Sequence, residues 1–429
     1  MKGYIMDAKI IKKSEKSYVI EIEIPYGKSM LESEELIQQQ LNKVGSVATG
    51  ESLLQFDTDG SPIIVEGKKM TTKGKIAKTY QTPYGDIMIE RHFYQGSLGG
   101  RGYCPLEKNA RIITTATPKF AKTVSSKYAD MGGVRVQKDL EGNHGRKISK
   151  SHIQKICDVV GSIASVKEDS WSYKIPSLEE EVKTVTVGLD GTCLLTVENG
   201  YRQAMTGTIG LYDNEGKRLH TIYAAAAPEY GKQTFLNKME NEISRVKQLY
   251  PDSKYVGLAD GAKDNWSFLE KQTSVQIIDF YHASEYIGNV GNVIFRNKNK
   301  KKEWIQEKSH ELKNEYGAAE KICLEMNEFL TRRLSKEKKD KIESAVTYFN
   351  NNLHRMDYAK NIKENIPIGS GITEAACKVI VKQRLCCSGM KWKDEGASVV
   401  LTLRCLNYSD GRWEQFWNKI DRYGFSLAA

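Results

Sequence analysis

Proline and cysteine are scarce in this chain, 9 and 8 among 429 residues, and no stretch approaches the run of about 20 apolar residues that a membrane helix needs. The first residues, MKGYIMDAKIIKKSEKS, lack the apolar centre of a secretory signal. Both absences argue against a membrane or exported protein and predict a cytoplasmic location. The cysteines (Cys104, Cys157, Cys193, Cys323, Cys377, Cys386, Cys387, Cys405) contain no C-x-x-C pair and no histidine at zinc-finger spacing. Reduced thiols are therefore expected, with neither a disulfide scaffold nor a structural zinc site. What is present is ordinary for a folded protein: 40% apolar and 28% charged residues, well away from disordered compositions. The length exceeds a single core, which stops growing near roughly 250–300 residues, so two or three domains are expected.

The net charge of +10 is unevenly placed. Residues 71–155 carry sixteen Lys and Arg against six Asp and Glu, a surplus equal to that of the whole chain. A basic block of this kind attracts polyanions, because neutralising phosphates releases their condensed counterions.

Residues 1–70 read as a small α/β region, with an extended run SYVIEIEIPY, a helix over about 33–43 and a hairpin-like FDTDGSPIIVEG. Residues 71–166 form the basic region: strand-like YGDIMIERHFYQG, a Gly-rich turn SLGGRG, then helical pieces. In RKISKSHIQKICDVV, Ser149 is placed to cap a helix, and Ile153, Ile156, Cys157 and Val160 make one apolar stripe at i, i+3, i+4 and i+7. Lys150, Ser151, Gln154 and Lys155 occupy the opposite face, with His152 at its edge. Two shorter helical pieces upstream complete the layout of a helix-turn-helix unit, an expected double-stranded DNA reader. A basic three-helix packing module is the structural alternative. The polar run at about 167–181 reads as a linker.

Beyond it the pattern becomes α/β. TVTVGLD reads as a strand ending in an acid, CLLTV, RQAMTGTIGLYD and RLHTIYAAAA as further strands, then a helix, then KYVGLAD, again a strand ending in an acid. Residues 182–282 thus predict the first part of a catalytic domain, 283–366 an all-helical insertion, and 367–429 its last part. Asp190 and Asp260 stand at the strand edge where α/β sheets place ligand sites. Two-metal phosphoryl transfer needs such carboxylates, since Mg²⁺ prefers oxygen ligands and a pair of ions about 3.5–4 Å apart serves both the attacking and the leaving oxygen. A third acid is expected on a late helix. Glu374 qualifies, with Lys378 and Lys382 at successive i+4 positions to reach phosphate. Singly, a strand-end Asp more often caps a turn and a helical Glu more often forms surface pairs; the combination carries the inference.

V-G-L-D-G-T at 187–192, L-A-D-G-A-K-D-N-W at 258–266, F-Y-H-A-S-E-Y at 280–286, and G-S-G-I-T-E-A-A-C-K with S-G-M-K-W within 369–392 resemble the ISKra-type insertion-sequence transposases, a DDE group with RNase H-like catalytic domains. The segment from Arg91 to Ile112 also resembles that family's amino-terminal half. Relatives carry paired cysteines where this chain has Gln95 and Gly99, so no zinc knuckle is carried over. The resemblance implies a bacterial, nucleoid-associated enzyme with an RNase H-like mixed sheet split by a helical insertion. It implies Asp190, Asp260 and Glu374 as catalytic acids holding two Mg²⁺ ions, with Mn²⁺ as substitute. It implies cleavage at a transposon end followed by strand transfer into target DNA by a homodimer or higher oligomer, with Arg384, Lys391 and Trp392 joining Lys378 and Lys382 at the DNA. Asp279 and His282 form a D-x-x-H pair that resembles a motif of related groups; Asp279 is expected to orient the His282 ring, the alternative being a simple helix cap. A domesticated DNA-binding protein and an RNase H-like structure-specific nuclease are the competing readings. The presence of all three acids argues against the first, and the basic region and the insertion against the second.

Overall fold

The computed structural model describes residues 8–97, 99–168 and 170–425. The first seven residues, Leu98 of the expected Gly-rich turn and Asp169 of the expected linker lie outside these. The chain is mixed α/β and divides into two compact units. One runs to Tyr173 and includes Thr402–Asn407 and the residues from Arg412 onward; the other comprises Lys174–Leu401 with Tyr408–Gly411.

In the first unit, β1 (Lys9–Lys13) and β2 (Tyr18–Glu21) form a two-stranded antiparallel ribbon. The helix α1 (Met30–Leu54) is much longer than the expected 33–43. It starts at Ser29, whose hydroxyl accepts the Glu32 N–H, and its two internal glycines cost helix propensity without ending it. Strands β3 (Ile63–Val65), β4 (Lys68–Gln81), β5 (Asp86–Gly96) and β6 (Gly99–Tyr103) make an antiparallel sheet in that order. Within the expected Gly-rich turn, Gly99 already begins β6, which pairs back onto β5.

After the short α2 (Pro105–Asn109) come α3 (Pro118–Asp130), α4 (Gly133–His144) and α5 (Lys150–Val166). Ser149 caps α5 by accepting the His152 N–H, and Ile153, Ile156, Cys157 and Val160 are fully buried against α3 and α4. Each such buried side chain contributes about 1.5–3 kcal/mol of hydrophobic stabilisation. Arg404 is 1% exposed and donates to the Ala129 carbonyl at 2.5 Å and to Asp130 at 3.0 Å. The expected linker is held to the fold: Trp171 is buried and meets Phe416 edge-on, centroids 5.8 Å apart.

The second unit opens on β7 (Thr184–Thr196), β8 (Gly200–Tyr212) and β9 (Arg218–Ala226), an antiparallel meander. After α6 (Gln233–Leu249), β10 (Lys254–Ala259) adds parallel to β7; after α7 (Lys263–Gln272), β11 (Val275–Ile278) adds parallel to β10. The sheet order is β11-β10-β7-β8-β9. The expectation of a strand ending at Asp190 and a separate CLLTV strand needs correction. β7 is one strand of 13 residues, because β8 pairs with it without a break from Thr184 opposite Tyr212 to Thr196 opposite Gly200. The glycine after the acid does not turn the chain, because it pairs with Met205 within the ladder, and the Gln203 side chain occupies the space where its Cβ would stand.

Helices α8 (Phe280–Ile294), α9 (Lys298–Asn314), α10 (Ala318–Glu328), α11 (Lys336–Asn352) and α12 (Tyr358–Lys363) follow without an intervening strand. Then α13 (Gly371–Ala376) passes into a π-helical stretch, Cys377–Lys382, and a last short turn, α14 (Gln383–Leu385). Among the described residues, no helix is long and apolar enough to cross a membrane.

Candidate active site

β10 lies parallel to β7 with Leu258 opposite Gly188. Asp260, the first residue after β10, is therefore level with Asp190, and the register sets the two acids on the same sheet edge. Asp190 is held on both sides of its carboxylate: Oδ1 accepts the Gly191 N–H at 2.6 Å and Oδ2 accepts the Cys377 thiol at 3.2 Å. Asp260 is exposed; its Oδ1 accepts the Ala262 N–H at 3.2 Å, and the Tyr348 hydroxyl donates to its carbonyl at 3.3 Å. Gly261 makes that turn at φ 111°, a conformation open to glycine.

Glu374 is brought to this edge by the seating of α13 on the sheet. Thr373 is 1% exposed, and its hydroxyl meets that of Thr208 in β8 at 2.7 Å. Beneath it, a Cβ at Gly188 would lie 2.0 Å from Thr373 Oγ1, so the absence of a side chain at 188 permits the close approach. The π turn that follows is a feature often found at functional sites. Despite the altered period, Glu374, Lys378 and Lys382 face one cleft of about 670 Å³ together with Asp190, Asp260, His282, Cys377 and Gln383.

Asp279 takes the helix-cap arrangement, the alternative to orienting the imidazole, while the His282 ring still faces the cleft. Asp279 is fully buried and caps α8, its Oδ1 accepting the His282 backbone N–H at 2.8 Å. Its Oδ2 accepts the Ser370 N–H at 2.5 Å and the Ser370 hydroxyl at 2.8 Å. The carboxylate thus ties the start of α8 to the turn before α13 and does not touch the imidazole. The His282 ring lies in the cleft between Glu285, 3.5 Å from Nδ1, and Glu374, 4.0 Å from Nε2. Ser370 Oγ is also 3.1 Å from Glu374 Oε1.

Asp190, Asp260 and Glu374 share the cleft, but their carboxylates do not gather into one cluster. Among the described residues, the group whose ligand atoms all lie within 4.8 Å of one another is Asp279, His282 and Glu374. In that group Asp279 is buried and tied to Ser370 and the start of α8, while His282 and Glu374 line the cleft. Carboxylate oxygens with an imidazole suit hard or borderline cations of the Mg²⁺ and Mn²⁺ kind.

Cys377 and Gln383 at the cleft were not anticipated. Cys377 was open to discovery, standing three residues after Glu374 and so on an adjacent helical position. The thiol is 3% exposed, and burial pushes its pKa up to about 12, with the Thr192 hydroxyl opposing and the Asp190 charge adding to the rise. It is a neutral S–H donor at physiological pH.

The expected DNA-facing residues divide. Lys378 and Lys382 are exposed in the cleft and Lys391 is exposed beyond it. Arg384 is 2% exposed, its guanidinium 5.2 Å from the centre of the Trp392 ring. Trp392 donates through Nε1 to the Leu385 carbonyl at 2.9 Å, and its backbone pairs with Leu195 and Val197. Both brace the segment after α14; Arg384 is buried, whereas Trp392 is partly exposed. In the first unit, Lys150, Ser151 and Lys155 are exposed on α5. Gln154 is instead engaged within the fold, accepting the Tyr128 hydroxyl and donating to Asp158 at 2.7 Å. His152 pairs with Thr115 at 2.9 Å; burial, then the Lys155 charge, lowers its pKa.

No protein-family model matches the chain, and no curated protein matches it.

Proposed function

We propose that the protein is a DNA transposase of the DDE type, cutting at transposon ends and joining the freed strand to target DNA. The observation that carries this reading is the convergence of Asp190, Asp260 and Glu374 with Lys378 and Lys382 on one cleft, delivered by two adjacent parallel strands and a late helix. The sheet order, three antiparallel strands followed by two parallel ones, is what an RNase H-like domain predicts, and the five helices α8 to α12 between β11 and α13 fit an inserted helical subdomain.

Asp190, Asp260 and Glu374 are the residues that would hold Mg²⁺ or Mn²⁺, which supplies activation of the attacking oxygen and stabilisation of the leaving one. Around them, Lys378 and Lys382 offset the charge of the phosphate. His282 donates a hydrogen bond to the phosphate or to Glu374, and the ladder of β7 and β8 keeps Asp190 from drifting. Both steps of transposition are in-line displacements at phosphorus, so one set of groups serves water in the first and a 3′-hydroxyl in the second. In the first unit, the exposed Lys150, Ser151 and Lys155 on α5, within the basic region 71–155, support a helix-turn-helix reader of double-stranded DNA. Bringing two ends together calls for a homodimer or larger assembly.

The test is direct. Full-length protein incubated with Mg²⁺ and a duplex carrying the repeats that flank its gene is expected to release a nicked product with a free 3′-hydroxyl, and EDTA is expected to block it. Binding without cleavage in Mg²⁺ or Mn²⁺ would favour a DNA-binding protein that does not cut.

A further inference from the structure

The thiol of Cys377 belongs to none of the roles assigned above, yet its sulfur touches the carboxylate at the centre of the cleft. Asp190 stands in mid-strand, where its side chain has a choice of rotamers across the sheet edge. The Gly191 N–H fixes Oδ1 at 2.6 Å, and the Cys377 S–H, at 3.2 Å, is the donor on Oδ2. Two further groups complete the setting. Thr192 is 4% exposed with its hydroxyl against the sulfur, and Thr206, opposite Asp190 in the ladder, is fully buried. The Thr206 hydroxyl has no nitrogen or oxygen partner among the described residues and lies against Cys377. The sulfur therefore has two threonine hydroxyls beside it and the Asp190 carboxylate as its acceptor.

We propose that Cys377 is a positioning residue: through its S–H···Oδ2 hydrogen bond it holds the Asp190 carboxylate in the orientation that receives a divalent cation. The inference rests on the metal-dependent reading of the cleft. A thiol suits the task because it is a weak donor. It selects a rotamer without neutralising the carboxylate, where a lysine or arginine would compete with the cation for the same charge. The geometry also explains why a cysteine occupies the first position of the π stretch: the sulfur reaches into β7 from the helix that carries Glu374, so one residue links the placement of two of the three acids.

The experiment measures Mn²⁺ binding to the full-length protein by calorimetry, alongside cleavage at varied Mn²⁺ concentration and the melting temperature, in wild type, Cys377→Ala, Cys377→Ser and Asp190→Asn. Removing an outer partner of a metal ligand typically costs 10–100-fold in affinity. Cys377→Ala is therefore expected to weaken Mn²⁺ binding roughly tenfold or more and to raise the Mn²⁺ concentration needed for half-maximal cleavage by the same factor, with DNA affinity unchanged. Cys377→Ser keeps a donor at that position and is expected to stay within about threefold of wild type, by the same reasoning. A folded Cys377→Ala protein that binds Mn²⁺ as wild type does, while Asp190→Asn does not bind it, overturns the positioning role and leaves the metal-dependent reading standing. Unchanged Mn²⁺ binding in both variants removes the two together. If Cys377→Ala fails to fold, the serine variant decides: loss of Mn²⁺ affinity in a folded Cys377→Ser protein also overturns the proposal.

Discussion

Gly188 offers the sharpest mechanical handle on the cleft. Replacing it with alanine places a Cβ 2.0 Å from Thr373 Oγ1 and 3.1 Å from Thr208 Oγ1, and the first of these separations is impossible. Thr373 must rotate, breaking its buried hydroxyl pair with Thr208, or α13 must lift from the sheet. Leaving a buried hydroxyl unpaired costs about 1–3 kcal/mol, and overpacking a close contact typically adds about 1–3 kcal/mol. A loss of about 2–4 kcal/mol is therefore a reasonable central expectation, which for a unit of this size lowers the melting temperature by roughly 4–16 °C at about 2–4 °C per kcal/mol. Glu374 adjoins Thr373, and a displacement of 1 Å at a reacting group costs on the order of 100-fold in rate. Cleavage should fall by about that factor at temperatures where the variant remains folded. The control is Gly188→Ala combined with Thr373→Ala, which removes the clashing oxygen. It should recover most of the rate, because the remaining approaches, 3.1 Å to Thr208 Oγ1 and 3.2 Å to the Thr373 Cβ, need shifts of only a few tenths of an ångström. Calorimetry and single-turnover cleavage on the same preparations decide the matter. A Gly188→Ala protein with wild-type melting temperature and rate would refute the claim that this contact seats α13.

Two further outcomes are expected. Lys150→Ala or Lys155→Ala should weaken binding to all duplex DNA and reduce the salt slope by about one per contact, whereas Ser151→Ala should relax sequence preference at unchanged slope; gel shifts over a salt series separate the two. His282→Ala should lower cleavage by roughly 10–100-fold with little change in melting temperature, since the ring is partly exposed in the cleft and the helix cap is made by its backbone N–H.

The parts of the fold that follow from local rules were legible. Ser149 and the stripe from Ile153 to Val160 announced α5, and the strands before Asp260 and around Thr206 showed themselves by apolar runs. What escaped depended on partners distant in sequence. β7 runs through Gly191 because β8 pairs with every residue of it, a long-range effect that overrides the glycine. The helix 30–54 exceeds its amphipathic stretch because its later turns are tied to distant strands, as by the Tyr18 hydroxyl of β2, which donates to the Ala48 carbonyl at 3.0 Å. The π turn at Cys377–Lys382 has no sequence signature, and the burial of Arg384 beneath Trp392 follows from a chain reversal that periodicity does not reveal. At the site, residue types and their strand and helix positions pointed to Asp190, Asp260 and Glu374. The cap at Asp279 was legible as a local alternative, but the bond of its second oxygen to Ser370, some ninety residues on, needed the tertiary structure.

The central claim is that Asp190, Asp260 and Glu374 act as one metal-dependent cutting site. Asp190→Asn, Asp260→Asn and Glu374→Gln each keep shape and lose the charge that holds Mg²⁺, so the most direct measurement is end cleavage in Mg²⁺ set beside gel-shift affinity for the same duplex. Each variant is expected to bind the duplex within a few-fold of wild type and to release no cleaved product; a wild-type cleavage rate in any one of the three would contradict the account.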